Sequence, residues 1–145
     1  MSDRPSMLDV YMTFAFTVAA RSTCKRYGTG AVIVSSDLRS VYSIGYNGSP
    51  HGQSHSCNGE TGNCQCIHSE INALLKVTQK DPDKIMFCTH SPCPTCARYM
   101  IQSGFSKLYY YHQYRLLEGL YMLSDAGIIP VQHWSIVRLS FGDIS

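Results

Sequence analysis

Two short patches of metal-ligating residues, His68-Ser69-Glu70 and Pro92-Cys93-Pro94-Thr95-Cys96, lie some two dozen residues apart in this chain of 145. They constrain the fold more than any other feature, because a tetrahedral zinc site draws its ligands onto a single ion. His68, Cys93 and Cys96 supply one nitrogen and two sulfurs, and Glu70 is a carboxylate that the ligand set does not need. Three protein ligands with a fourth position left open describe a catalytic zinc site rather than a structural one. Each patch stands at the start of a helical pattern, so two helix N-termini are expected to converge on the ion, where the positive end of a helix dipole favours thiolates. The His68 imidazole would then reach the metal, and the carboxylate two residues on would point to the open position. A bare Cys-x-x-Cys would fit a closed zinc staple or a redox pair equally well; His68, Glu70 and Pro92 in register favour catalysis.

Composition leaves this reading room. With 44% hydrophobic and 15% charged residues and no repeat or low-complexity tract, residues 1–145 read as a single globular domain. A net charge of +2, with 12 Lys and Arg scattered along the chain, argues against a nucleic-acid polymer as partner and leaves only small anionic ligands. The start Met1-Ser2-Asp3-Arg4-Pro5 has no signal-peptide pattern, and no apolar run is long enough to span a bilayer, so no membrane partner and a cytoplasmic location are expected. Seven cysteines, an odd count, fit reduced thiols that bind metal better than a disulfide framework.

Apolar spacing predicts a helix from Met7 to about Arg21 and a hairpin from Ala31–Val34 and Val41–Ile44. The Gly-, Asn- and Ser-rich segment from Gly45 to Gln65 is too long for an idle connection and reads as a functional loop. A helix follows near Ser69–Lys80, stopped at Asp81-Pro82, then a strand at Ile85–Thr89. Next come a helix from Pro94 to Ser103 ended by Gly104, a strand at Leu108–Tyr111, a helix from Tyr114 to about Ala126 and a strand at Ile128–His133. An early hairpin followed by alternating helices and strands implies an α/β fold, a mixed sheet covered on both faces. The segment from Ser135 to Ser145 has no clear pattern. The run Tyr109–Tyr111 could stack bases, but a strand buried on both faces explains it without a basic groove; a subunit interface is the other reading of the aromatic excess.

Three stretches, two of them extending the patches above, carry a family resemblance: Gly45-Tyr46-Asn47-Gly48-Ser49-Pro50, Ile67-His68-Ser69-Glu70-Ile71-Asn72-Ala73 and Ser91-Pro92-Cys93-Pro94-Thr95-Cys96. From about Arg21 to Val131 the chain resembles the zinc-dependent cytidine deaminase superfamily and, within it, the deoxycytidylate (dCMP) deaminases of viral, phage and cellular origin. Ser69 stands where that family usually has Ala. The resemblance implies a cytidine deaminase-like three-layer α-β-α sandwich with a five-stranded mixed sheet. It also implies hydrolysis of dCMP to dUMP and ammonia, with Glu70 moving protons between water, the ring nitrogen and the departing amine. The product would supply thymidylate synthesis, in the host cytoplasm if the chain is phage-encoded. Other cytosine substrates, such as deoxycytidine or dCTP, remain alternatives, as do adenosine in tRNA and a non-catalytic zinc-stapled interaction module.

By the same resemblance Asn47 would bind the deoxyribose 3′-hydroxyl; Tyr-Asn-Gly alone is equally a turn signal. Arg21, Ser22, Lys25 and Arg26 cluster at the end of the first helix and could hold the 5′-phosphate, although a solvated basic helix end would look the same. Tyr114 and Arg115, at the head of the fourth predicted helix, could close the pocket. The resemblance further implies activation by dCTP and inhibition by dTTP near Gly45, Tyr46 and Gly48, usually with Mg2+, and assembly as a homohexamer.

Cys24, Cys57, Cys64 and Cys66 remain outside the catalytic set, with His55 in reserve. Four of these five would hold a second, structural zinc and order the long loop; the four cysteines are the favoured set. Free surface thiols are the alternative. Cys88, inside an apolar strand, reads as core.

Overall fold

The computed structural model describes residues 4–53, 57–60 and 64–138. His55, the reserve ligand, and positions 139–145 lie outside the described residues. The elements run α1 (Met7–Ala19), β1 (Gly30–Val34), β2 (Val41–Tyr46), α2 (Ser69–Lys76), β3 (Lys84–His90), α3 (Pro94–Ser103), β4 (Phe105–His112), α4 (Glu118–Asp125) and β5 (Ile129–Gln132). Five strands form one mixed sheet in the order β2-β1-β3-β4-β5. β1 is antiparallel to both β2 and β3, whereas β3, β4 and β5 run parallel.

Alternation along the strands divides the apolar residues between two cores. Val32, Val34, Ile85, Phe87 and Tyr109 face α1 and meet Tyr11, Met12, Ala15 and Val18. Ala31, Ile33, Met86, Cys88, Leu108 and Tyr110 face the other way, onto Ala73 of α2, Ala97 and Met100 of α3, and Leu120 and Leu123 of α4. The three-layer sandwich expected from the sequence is the observed fold. The tyrosine run is divided between the layers: Tyr109 stacks on Phe87 with centroids 5.0 Å apart, Tyr110 enters the opposite core, and Tyr111 meets Phe16 edge-on. Among the described residues no helix is long and apolar enough to cross a membrane.

Several boundaries differ from the sequence reading. β2 continues through Tyr46, so Gly45 and Tyr46 belong to a strand rather than to the long loop. α2 ends at Lys76, not Lys80, because Val77 is extended (φ −71°, ψ 129°) and packs its β-branched side chain on the core. α4 starts at Glu118, not Tyr114: the Tyr114 amide donates to Ser91 Oγ (2.6 Å), which ties residues 113–117 to the end of β3 as a loop.

The placement of α2 depends on a glycine. A Cβ on Gly45 would sit 2.3 Å from the Ser69 carbonyl oxygen and 2.5 Å from the Ala73 nitrogen, so the first turns of α2 lie directly on β2. Ser43 Oγ donates to the Ala73 carbonyl (2.7 Å) and Asn72 Nδ2 to the Tyr46 carbonyl (2.8 Å), which fixes the same turn. Gly119 does the equivalent for α3, since a Cβ there would lie 2.3 Å from the Pro92 carbonyl oxygen. Gly45→Ala is therefore expected to lower stability by about 1–3 kcal/mol or more, the usual penalty of overpacking. Urea unfolding measures it, and an unchanged midpoint would show that α2 has room to move.

Candidate metal and nucleotide site

α2 and α3 begin at ligand residues. His68 is the N-cap of α2 and Cys93 that of α3, and neither side chain caps its own helix. Pro94 follows at the first helical position, where its missing N–H costs no intrahelical hydrogen bond. The freed side chains meet: His68 Nδ1 is 3.5 Å from Cys93 Sγ and 3.3 Å from Cys96 Sγ. Cys96 is fully buried, Cys93 half-buried and His68 exposed, so the trio opens on the histidine side. Glu70, in the first turn of α2, is only 6% exposed and accepts a hydrogen bond from Ser69 Oγ (2.6 Å), which in turn lies 3.1 Å from Thr29 Oγ1. Its carboxylate also helps to hold the Cys96 thiol protonated.

Proton distribution among these groups fits a metal-binding donor set. The Cys93 thiol is pulled down to about 4, first by its hydrogen bond from Cys96 and further by that from His68. Cys96 is pushed far up, first by sharing its proton with Cys93 and then by burial. His68 is raised, chiefly by its hydrogen bond with Cys93. One proton shared between two sulfurs beside an imidazole is the arrangement a soft divalent cation would displace, and two thiolates with one nitrogen suit zinc.

Four more sulfurs form a second cluster. Those of Cys24, Cys57, Cys64 and Cys66 all lie within 4.8 Å of one another, with Cys24 3.8 Å from Cys57 and 3.9 Å from Cys64. The favoured set of four cysteines is thus assembled within the described residues. Gln65, between Cys64 and Cys66, has φ +68°, an uncommon left-handed conformation for a non-glycine residue. Cys57 is lowered to about 6, first because the Lys25 amide donates to its sulfur (3.2 Å). Cys66 is raised, first by burial and then by its thiol neighbours. Cys88 is buried in the core, as its sequence context suggested.

A cavity links the two clusters. It is lined by Cys24, Cys64 and Cys66 on one side and by His68, Glu70 and Cys93 on the other, with Asn47, Arg26 and Tyr114 among its remaining walls. Asn47 is held rigidly: Oδ1 accepts from Ser22 Oγ (2.5 Å) and the Thr29 amide (2.8 Å), and Nδ2 donates to the Tyr27 carbonyl (3.0 Å). One amide proton remains for it to offer to the cavity. Ser22 therefore acts through Asn47 rather than at the cavity surface. Arg21, Lys25 and Arg115 are exposed and outside the cavity lining, so of the basic cluster only Arg26 reaches it. Tyr114 lines the cavity from a loop, not from a helix head. Gly48 pairs with Ile67, N to O at 3.2 and 2.8 Å, next to His68.

Sequence reasoning missed Tyr27, Thr29, His90 and Ser91 in this lining. His90 and Ser91 directly precede Pro92-Cys93, and that adjacency was the available signal. Tyr27 and Thr29 lie in the connection before β1 and carry no motif.

Residues 5–112 match the family described as "Cytidine and deoxycytidylate deaminase zinc-binding region". The deoxycytidylate deaminase of Saccharomyces cerevisiae is 35% identical over 139 residues, covering 86% of this chain and 44% of the yeast protein. That of Mycobacterium phage D29 is 30% identical and covers 74% of this chain and 95% of its own length. The chain spans less than half the length of the yeast relatives it matches, 44% in S. cerevisiae and 39% in Schizosaccharomyces pombe. Among solved structures, the dCMP deaminase of cyanophage S-TIM5 in complex with dCMP and dUMP superimposes with a TM-score of 0.81 at 33% identity, over 91% of this chain and 100% of that one. With its fold, its two ligand-bearing helix starts and these relatives in agreement, the chain belongs to the cytidine and deoxycytidylate deaminase family.

Proposed function

We propose that the chain is a zinc-dependent deaminase that hydrolyses dCMP to dUMP and ammonia. The observation that carries this reading is a buried carboxylate, Glu70, beside a three-ligand set of His68, Cys93 and Cys96 that opens into a cavity. Zinc bound by these three residues would supply a Lewis acid able to make water nucleophilic near neutral pH. Glu70 accepts the proton that water gives up as it adds to C4 of the cytosine and delivers it to the adjacent ring nitrogen N3, then takes the remaining proton from the new C4 hydroxyl and passes it to the departing amino group. Ammonia leaves and a C4 carbonyl remains. Ser69 and Thr29 hold the carboxylate in place through their hydroxyls. Asn47 offers its remaining amide proton to the deoxyribose, and Arg26 with Tyr114 faces the 5′-phosphate.

The second cluster, Cys24, Cys57, Cys64 and Cys66, would hold a structural zinc that orders the wall shared with the active cavity. Control by dCTP and dTTP, with Mg2+, follows by analogy with the family, and the Gly48–Ile67 pairing would tie an effector at Gly45, Tyr46 and Gly48 to the residue before His68. Exposed Leu75, Tyr99 and Tyr121 support association of several copies, a hexamer by analogy with the family. The product would feed thymidylate synthesis.

Loss of cytosine absorbance with dCMP, deoxycytidine and dCTP in parallel tests the reaction. Turnover of dCMP is expected to exceed that of the other two, to rise with dCTP and fall with dTTP at subsaturating substrate. Glu70→Gln should lower kcat by roughly 10²–10⁴-fold, the usual share of a general acid-base, with zinc retained. Turnover unaffected by that substitution would remove Glu70 from the mechanism, and equal rates with and without nucleotide would remove the regulation. Cys57→Ser should cost one zinc per chain by elemental analysis and lower Tm, while Cys93→Ser costs the other. A full metal complement in Cys57→Ser would refute the second site.

A further inference from the structure

The mechanism above leaves two residues of the ligand turn without a task. Thr89 is fully buried at the end of β3, and His90 beside it lines the active cavity. Thr89 Oγ1 accepts a hydrogen bond from the Gly30 amide (3.1 Å) and lies 3.0 Å from His90 Nδ1. A threonine hydroxyl carries one proton. Because the Gly30 amide arrives as a donor, that proton is directed to His90 Nδ1. The reverse arrangement, Nδ1–H donating to Thr89, would strand a buried hydroxyl proton without an acceptor, which is the costlier arrangement. Nδ1 is then the acceptor, and the ring proton sits on Nε2. Among the described residues no buried side-chain nitrogen or oxygen lacks a partner, so Nε2, which no hydrogen bond among those residues engages, is accessible on a ring that lines the cavity.

The surroundings of the ring favour its neutral form. Burial, and the His112 imidazole on β4 with its centroid 4.9 Å away, hold His90 down at about 4. On the other side Tyr27 lies 5.1 Å from His90, and the Arg26 guanidinium stands 5.0 Å from the Tyr27 centroid. Arg26, Tyr27, His90 and Tyr114 all line the cavity. One end of this row therefore brings a permanent positive charge, and the other a neutral, directional N–H. A phosphate needs both: the charge offsets its desolvation, and the donor orients it.

We propose that Thr89 fixes His90 in the Nε2–H tautomer, and that His90 donates this proton to a phosphate oxygen of the nucleotide beside Arg26, selecting the monophosphate over the nucleoside. The proposal rests on the deaminase reading above. His90 acts here as a substrate-binding residue and Thr89 as a positioning residue that works through it. A hydrogen bond to a charged group is worth about 1.5–3 kcal/mol, or roughly 10- to 150-fold in selectivity.

The test uses zinc-loaded protein carrying 15N-histidine. Long-range 1H–15N correlation spectra, with His90 assigned from a His90→Gln sample, should show a protonated Nε2 and a bare Nδ1. Addition of dUMP should shift the Nε2 proton, and deoxyuridine should not. A Nδ1–H tautomer, or a His90 signal unmoved by saturating dUMP, would overturn the proposal whether or not the protein turns over dCMP. Kinetics on dCMP and deoxycytidine then separate the roles. His90→Leu and Thr89→Val should raise KM for dCMP at least tenfold with kcat little changed and leave deoxycytidine nearly unaffected. Thr89→Ser and His90→Gln, which retain the hydroxyl and an N–H donor, should stay within about threefold of the parent. Equal losses on both substrates would assign His90 to the base or sugar and contradict the phosphate role. Wild-type protein inert toward dCMP, with the expected tautomer and dUMP shift, would count against the deaminase reading alone.

Discussion

The structure depends on two helices that must start at the same point in space. His68 and Cys93 occupy N-cap positions without capping, so each helix forgoes a side-chain hydrogen bond usually worth about 1 kcal/mol. Those side chains face each other instead, and the orphan amides of both first turns place positive partial charge beside the Cys93 and Cys96 sulfurs. Everything around the convergence serves it. Gly45 and Gly119 remove side chains where α2 meets β2 and where α4 meets the Pro92-Cys93 backbone, and a Cβ at either glycine would drive a helix off the site. The parallel pair β3 and β4 carries the second ligand turn, with Ser91 N bonded to the His112 carbonyl at 2.8 Å.

A consequence is that the two cysteine clusters are not independent. Cys24, Cys64 and Cys66 line the same cavity as His68 and Glu70, and Cys66 is separated from His68 by one residue. Lys25, whose amide donates to Cys57, directly precedes Arg26 in the cavity wall. Ordering the second cluster therefore shapes this cavity through covalent neighbours, with no long-range pathway required. The Ser22–Asn47–Thr29–Ser69–Glu70 hydrogen bonds add a polar link along the cavity wall from the Asn47 amide to the Glu70 carboxylate.

Much of this was legible in the sequence because the chemistry of the ligands is local. His68-x-Glu70 and Cys93-x-x-Cys96 carry their meaning in spacing, and the start and stop signals of α3, Pro94 and Gly104, match its observed bounds. Helix ends set by tertiary contact were not legible. Nothing in Leu75-Lys76-Val77 announces that Val77 leaves the helix for the core, and nothing before α4 announces that Ser91 captures the Tyr114 amide. The basic residues show the same division. Residue type alone could not separate Arg26 from Arg21 and Lys25, since only burial and direction place one of them in the cavity. His90 is hidden for a different reason: its tautomer depends on Gly30, far away in sequence, donating to Thr89.

Zinc held by His68, Cys93 and Cys96 would keep one position open, with Glu70 beside it and not ligating. A crystal structure of the zinc-loaded protein, with anomalous differences at the zinc edge, tests it most directly. One zinc is expected among Cys24, Cys57, Cys64 and Cys66, and another bound by His68 Nδ1, Cys93 and Cys96, its fourth position taken by water within hydrogen-bond reach of the Glu70 carboxylate. Direct coordination by Glu70 would contradict it, because a site closed by four protein ligands leaves neither a place for the nucleophile nor a free base to move its proton.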